Sequence, residues 1–473
     1  MRMSMNRFSN VLPSAIRTTV LGAALTAALA GCPNREVSEV NPAQDKEEFK
    51  DIPLTINRDI DILFVIDNSG SMGEEQASLA ANFPQFINVL DNIEGGLPNV
   101  HIGVVSSDMG TLNVPTGDGA CAGLGDNGAL QARATCNVNG LFINDVDNGG
   151  GGRTTNYGAQ TLAQAFSCTA ALGTGGCGFE QHLESMRAAL TNTTANNGFL
   201  RPSAFLAVIF VADEDDCSAK NGGFFGPDSA ALGPLDSFRC FEFGVECDGA
   251  SDPRAVGPRT NCQPIASSQY MYQQSELDDR YVNFLKGLKS DEKDVIVAGI
   301  IGNVEPVEIG RRTPASGGDP RPDLVPSCTY AGPNGMQTAD AGVRLKYFLD
   351  QFPNRSTITT ICDNDLSDAL VQIADLLATV IGNPCIEGNL ADRDPGTNGV
   401  QPECQASYVT NPGEENQVED VLAQCNDTAS NQPCWRLIQD PNCTDYPTGL
   451  SIEVVRSVEP PPDTHIFARC VTE

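Results

Sequence analysis

Ile60-Asp61-Ile62-Leu63-Phe64-Val65-Ile66 runs straight into Asp67-Asn68-Ser69-Gly70-Ser71. The first part is apolar at every position but Asp61, the pattern of a strand buried on both faces of a sheet. The second part is a polar turn with a glycine in it, set where that strand must end. In a parallel sheet, ligands bind beyond the carboxyl ends of the strands, so position and composition point the same way. Asp67, Ser69 and Ser71 offer one carboxylate and two hydroxyls. Such an all-oxygen set suits a hard divalent cation, Mg²⁺, Mn²⁺ or Ca²⁺, and not a soft metal. Helix capping by the same residues is the plainer alternative, but it needs fewer of them.

Working outward, Leu79, Phe83, Phe86, Ile87 and Leu90 recur at helical spacing. Pro84 lies among them and predicts a kink or restart. Further strands are expected at Val100–Ser106, Phe205–Ala212, Val295–Gly302 and Thr357–Cys362, and helices at Glu180–Leu190, Leu277–Leu288 and Leu366–Ile381. Buried strands alternating with amphipathic helices predict an α/β fold with one open, mostly parallel, Rossmann-like sheet. At the end of Phe205–Ala212 stands Asp213-Glu214-Asp215-Asp216. At least one of these carboxylates is expected to face Asp67 across the crevice.

Strand, turn and distant aspartate together resemble the von Willebrand factor type A domain and its metal-ion-dependent adhesion site, DxSxS. The resemblance covers about residues 58–382. It implies that Ser69 and Ser71 bind a divalent cation directly, that Asp67 and Asp213 bind it directly or through water, and that one position stays open for an acidic group on a protein or polymer partner. Asp213 is flanked by Ala212 and Glu214 where the family has T-D-G. The family's remaining ligand is a threonine ahead of a helix. Thr174 is the nearest here but is out of register, and Glu180 is the alternative oxygen.

The resemblance also implies a domain of roughly 200 residues, within the common range, and this stretch is longer. The surplus falls at Ser107 to about Gly173, Cys217 to about Ser267 and Asn303 to about Val343. If the strands are parallel, all three insertions leave the sheet at the metal-bearing edge, where specificity commonly resides. Asp145-Val146-Asp147-Asn148-Gly149-Gly150, in the first insertion, lacks the spacing and closing Glu of an EF-hand and reads as a turn.

The chain begins with Arg2, Arg7 and Arg17, no acid, and an apolar run from Val20 to Ala30 leading to Leu29-Ala30-Gly31-Cys32. The run is too short to span a bilayer, which needs about 20 apolar residues, and it fits a cleaved secretory signal. The segment resembles the bacterial lipobox, which implies lipidation at Cys32, and Pro33 after it favours the outer membrane. The expected organisation is a signal peptide at 1–31, a lipidated cysteine and flexible tether at 32–57, an insertion-bearing domain at 58–382, and a small Cys-rich, β-rich module at 383–473.

Seventeen cysteines include Cys32 and leave an even sixteen for an oxidising compartment. No CxxC occurs, and three histidines make a Cys/His zinc site improbable. Short turn-containing loops suggest pairing of Cys168 with Cys177 and of Cys434 with Cys443. With 61 acidic against 29 basic side chains the net charge is −32. That argues against nucleic acid and against adhesion to anionic lipid other than through the anchor. No nucleophile–base set is visible, which argues against an enzyme. The expectation is an envelope lipoprotein with a cation-dependent adhesion domain; the alternative is a structural envelope protein whose cation only stabilises the fold.

Overall fold

The computed structural model describes residues 46–472 apart from short internal stretches such as 54–57, 397–400 and 411–416. The signal-like segment and Cys32 lie outside the described residues. Asp59–Ile66 forms a central strand, paired in parallel with Asn99–Ser106 on one side and Phe205–Ala212 on the other. Val295–Ile301 and Ser356–Thr360 extend the parallel set, and Ile143–Asp147 and Arg153–Thr155 add an antiparallel margin beyond Asn99–Ser106.

The pleat explains the uninterrupted apolar run. Ile60, Ile62, Phe64 and Ile66 point into one core with the helices Gly73–Asp91, Leu162–Ala170 and Ser367–Gly382. Leu63 and Val65 point into the other, against the helices His182–Thr191 and Val343–Asp350. Phe64 sits edge-on to Phe83 and Phe86, with ring centroids 6.1 Å away in each case. Truncating it to Ala would cost about 3–5 kcal/mol.

The helix Gly73–Asp91 continues through Pro84 without restarting. A proline cannot donate to the carbonyl four residues back. Here that carbonyl belongs to Ala80, and Ser167 Oγ donates to it at 2.7 Å. The stretch expected as one helix from Leu277 is broken by a π-helical turn at Asp278–Val282.

A single open, Rossmann-like sheet with a small β module does not describe this molecule. The described residues form four sheets: the mixed seven-stranded one above, a six-stranded one, a four-stranded antiparallel one, and a two-stranded hairpin. The four-stranded sheet (Val245–Asp248, Gly257–Pro264, Val307–Arg312 and Arg321–Val325) and the hairpin (Cys328–Gly332 and Gly335–Ala339) arise wholly from the insertions. Their strands are half-exposed or exposed at most positions, so they print no apolar run in the sequence. The six-stranded sheet is antiparallel except for a short parallel pairing of Val418–Gln424 with Cys434–Gln439. It also recruits Lys46–Pro53, expected as tether, which pairs with Thr464–Thr472.

All sixteen cysteines after Cys32 pair, in eight disulfides. The short-loop pairings are corrected: Cys177 joins Cys121 and Cys168 joins Cys136. Cys434 joins Cys425 and Cys443 joins Cys385. Spacing along the chain does not fix which faces meet: Cys168 lies in a helix packed on the sheet, while Cys177 lies in the loop leading to another. This framework belongs to an oxidising compartment outside the cytoplasm.

Candidate functional site

Because Asp59–Ile66, Asn99–Ser106, Phe205–Ala212 and Val295–Ile301 are parallel and in register, their carboxyl ends share one edge. The turn Asp67–Ser71, the acidic run from Asp213 and all three insertions start there. Asp67 N donates to Val211 O at 2.9 Å, which locks the turn to the neighbouring strand. Asp67 Oδ1 accepts from Ser69 N at 2.7 Å and from Ser107 Oγ at 3.4 Å. Asp67 Oδ2 is buried with no hydrogen-bond partner. Ser69 Oγ and Ser71 Oγ lie 3.2 Å apart. The Ser71 hydroxyl donates in turn to the Asp213 carboxyl, whose Oδ1 is again buried and unpartnered. Asp67, Ser69, Ser71 and Asp213 are thus one contiguous oxygen cluster.

The four acids after the Phe205–Ala212 strand have separate tasks. Asp213 joins the cluster. Glu214 hydrogen-bonds Glu180. Asp215 accepts from Arg344 N and Leu345 N, so it caps the helix Val343–Asp350. Asp216 accepts from Leu183 N at 3.0 Å and pairs with the buried Arg344 guanidinium at 3.1 Å.

Of the two alternatives for a further ligand, Thr174 lies exposed beside Gly73. Its loop is tied to the cluster: Gly176 N donates to Asn68 O at 2.9 Å, and the Gln76 amide exchanges hydrogen bonds of 3.0 Å with Gly173. Glu180 is buried, and its Oε1 has no hydrogen-bond partner. Burial, the Glu214 charge and the Asp67 charge together hold the Glu180 carboxyl well above its ordinary value.

Burial first, and then the Asp67 charge, hold the Asp213 carboxyl well above the usual range. Burial likewise raises Asp67, and burial lifts Glu214 to about 7. His182, which the sequence reading passed over, places Nε2 3.8 Å from Asp67 Oδ2. That separation makes no hydrogen bond, and burial pushes the imidazole below its ordinary value despite Asp67 and Asp216. The sole signal for His182 in the sequence is its place at the start of a helix expected near the metal edge.

Two carboxylates and two hydroxyls converge with buried oxygens left over, a donor set that fits a hard cation. Among the described residues, no three His, Cys, Asp or Glu side chains converge as a metal site.

No protein-family profile matches the chain, and no curated protein does. Matching solved structures include the pilus adhesin SpaC from Lactobacillus rhamnosus GG, at 12% identity over 87% of this chain and 39% of that one, TM-score 0.31. The pilus adhesin RrgA from Streptococcus pneumoniae matches at 11% identity over 92% and 60%, TM-score 0.29. Proximal thread matrix protein 1 from the mussel byssus matches at 10% over 68% and 48%, TM-score 0.27. The chain spans 39% to 60% of the length of these three proteins, and at such scores the likeness does not establish a shared fold. The von Willebrand type A family reading is accordingly corrected. The DxSxS turn, its strand and the distant Asp213 carried it, whereas no family profile matches and, among the described residues, no three His, Cys, Asp or Glu side chains converge as a metal site.

Proposed function

We propose that Asp67, Ser69, Ser71 and Asp213 hold one divalent cation, and that the edge around it is a non-catalytic binding surface. The observation that carries this is the pair of buried, unpartnered oxygens, Asp67 Oδ2 and Asp213 Oδ1, on side chains linked through two serine hydroxyls. A buried polar atom without a partner costs about 1–3 kcal/mol, and two like charges add repulsion. A cation removes both penalties. Neutral hydroxyl ligands leave the ion electrophilic, so a protein or polymer partner bearing an acidic group is the class it would attract. The glycine-bearing turn supports access, since Gly70 and Ser71 are exposed while Asp67 and Ser69 are buried. The reading extends to an exported protein held in the envelope by lipid at Cys32, so that Cys32→Ala should release it from membranes.

The deciding experiment is a thermal melt with chelator and with Mg²⁺, Mn²⁺ or Ca²⁺, joined to a pull-down from envelope extract under both conditions. A cation at 100 times its dissociation constant should add about 2.7 kcal/mol. Chelator should release the partner. A melt indifferent to all three ions at millimolar concentration would remove the basis of the proposal.

A further inference from the structure

We propose that the acidic cavity beside the cation cluster receives a primary ammonium group, as on a lysine side chain of a protein partner. This deepens the binding-surface reading by naming a partner group, and it rests on that reading only for its location at the same edge. The cavity opens between the end of the Phe205–Ala212 strand and the insertions, and encloses about 390 Å³ including its mouth. Its walls carry Glu180, Glu214, Asp323 and Asp340, together with Phe238 and Phe241.

Glu180 is 1% exposed and its Oε1 has no hydrogen-bond partner. The Glu180 carboxyl lies beside that of Glu214, and its own backbone N–H also bonds it. Arg312 pairs with Asp323 at 2.5 Å, with its guanidinium largely in solvent. The acids are therefore only partly neutralised by the chain itself. The closed interior has room for one water-sized group. An ammonium head is of that size and brings three donors and a positive charge, which matches a ring of acceptors. The aromatic walls suit the alkyl stem behind it.

The test uses the whole chain with chelator present, and the peptide acetyl-Gly-Lys-Gly-amide against the same peptide acetylated on the lysine Nζ. Binding is followed by calorimetry or by NMR shifts. The free-lysine peptide should bind roughly tenfold or more tightly than the acetylated one, and Asp340→Asn should weaken it by a similar factor. Asp323→Asn serves as the second variant should Asp340→Asn fail to fold. Equal affinity for the two peptides, no binding at millimolar concentration, or indifference to both variants would overturn the proposal. Since chelator is present, lysine binding that survives while chelator-sensitive partner capture is absent separates this cavity from the cation site.

Discussion

At the scale of single residues, the decisive feature is the arrangement of Asp67 and Asp213. Each has one buried oxygen with no partner, and the Asp67 charge raises the Asp213 carboxyl further, after burial itself. Removing one charge should therefore relieve the cation-free protein while abolishing its response to cations. Asp213→Asn is expected to melt higher than wild type at pH 8 in chelator, and to gain little from millimolar Mg²⁺ or Ca²⁺. Parallel melts of the two proteins check both halves. If Asp213→Asn keeps the full cation response, the ion is not held by this carboxylate. The sequence alone placed Asp67, Ser69, Ser71 and Asp213 on one edge, because strand ends are legible from apolar runs. It did not show that Asp215 and Asp216 turn away to cap helices, since four adjacent acids look alike until their neighbours are in place.

At the scale of elements, the hairpin Cys328–Gly332 and Gly335–Ala339 lies against the start of the helix Gly73–Asp91. Tyr330 OH donates to Glu75 Oε1 at 3.0 Å, and Asn334 N donates to Glu74 Oε1 at 2.8 Å. The disulfide Cys328–Cys362 holds its root, and Asp340 N donates to Asp213 O at 2.8 Å. The hairpin thus joins the first turn of that helix to the oxygen cluster of Asp67, Ser69, Ser71 and Asp213. Burial holds the Glu75 carboxyl above its ordinary value, and the Tyr330 hydroxyl offsets part of that. Tyr330→Phe should cost about 1–3 kcal/mol, the usual penalty for a buried acceptor left alone. The cost should be larger at pH 8 than at pH 5, because rising pH favours the ionised Glu75, which most needs the donor. Denaturant titrations at the two values test this, and an equal cost at both would mean that Tyr330 acts by packing. Nothing in the sequence announced the hairpin, because its residues alternate without a long apolar run.

At the scale of the molecule, the chain carries a net charge of −32, and several of its carboxyls at the carboxyl edge of the seven-stranded sheet resist ionisation. Burial and neighbouring charges lift Glu214 to about 7 and Asp340 to about 8, and raise Asp213 and Glu180 well above the ordinary range. A carboxyl whose value is higher folded than unfolded binds more protons in the folded state, so stability falls as pH rises. That contribution is complete below the unfolded values near pH 4 and is lost as pH passes through the folded ones, to about pH 8. In chelator the melting temperature should drop steadily from pH 5 to pH 8. Saturating divalent cation should flatten the drop, because the ion takes the place of the protons at Asp67 and Asp213. A melt that rises over this range in chelator would show that the edge is ionised and compensated by other means. Reduction of the eight disulfides should lower stability further at every pH, since each closes a loop; a native one typically contributes about 2–5 kcal/mol in small secreted domains.

What the sequence determined by itself is local or periodic. Uninterrupted apolar runs marked the strands buried on both faces, helical spacing marked the helices over them, and an even set of cysteines marked an oxidised framework. Tertiary structure alone decided which cysteines meet, because a disulfide depends on the faces two elements present to each other and not on the distance along the chain. It alone moved Lys46–Pro53 into the sheet of the C-terminal strands, since backbone pairing is supplied by a partner more than four hundred residues away. It alone showed that the insertions build antiparallel sheets, because strands exposed on one or both faces need no continuous apolar code. And it alone left Asp67 Oδ2, Glu180 Oε1 and Asp213 Oδ1 buried without partners: whether a polar atom is satisfied depends on everything that packs around it.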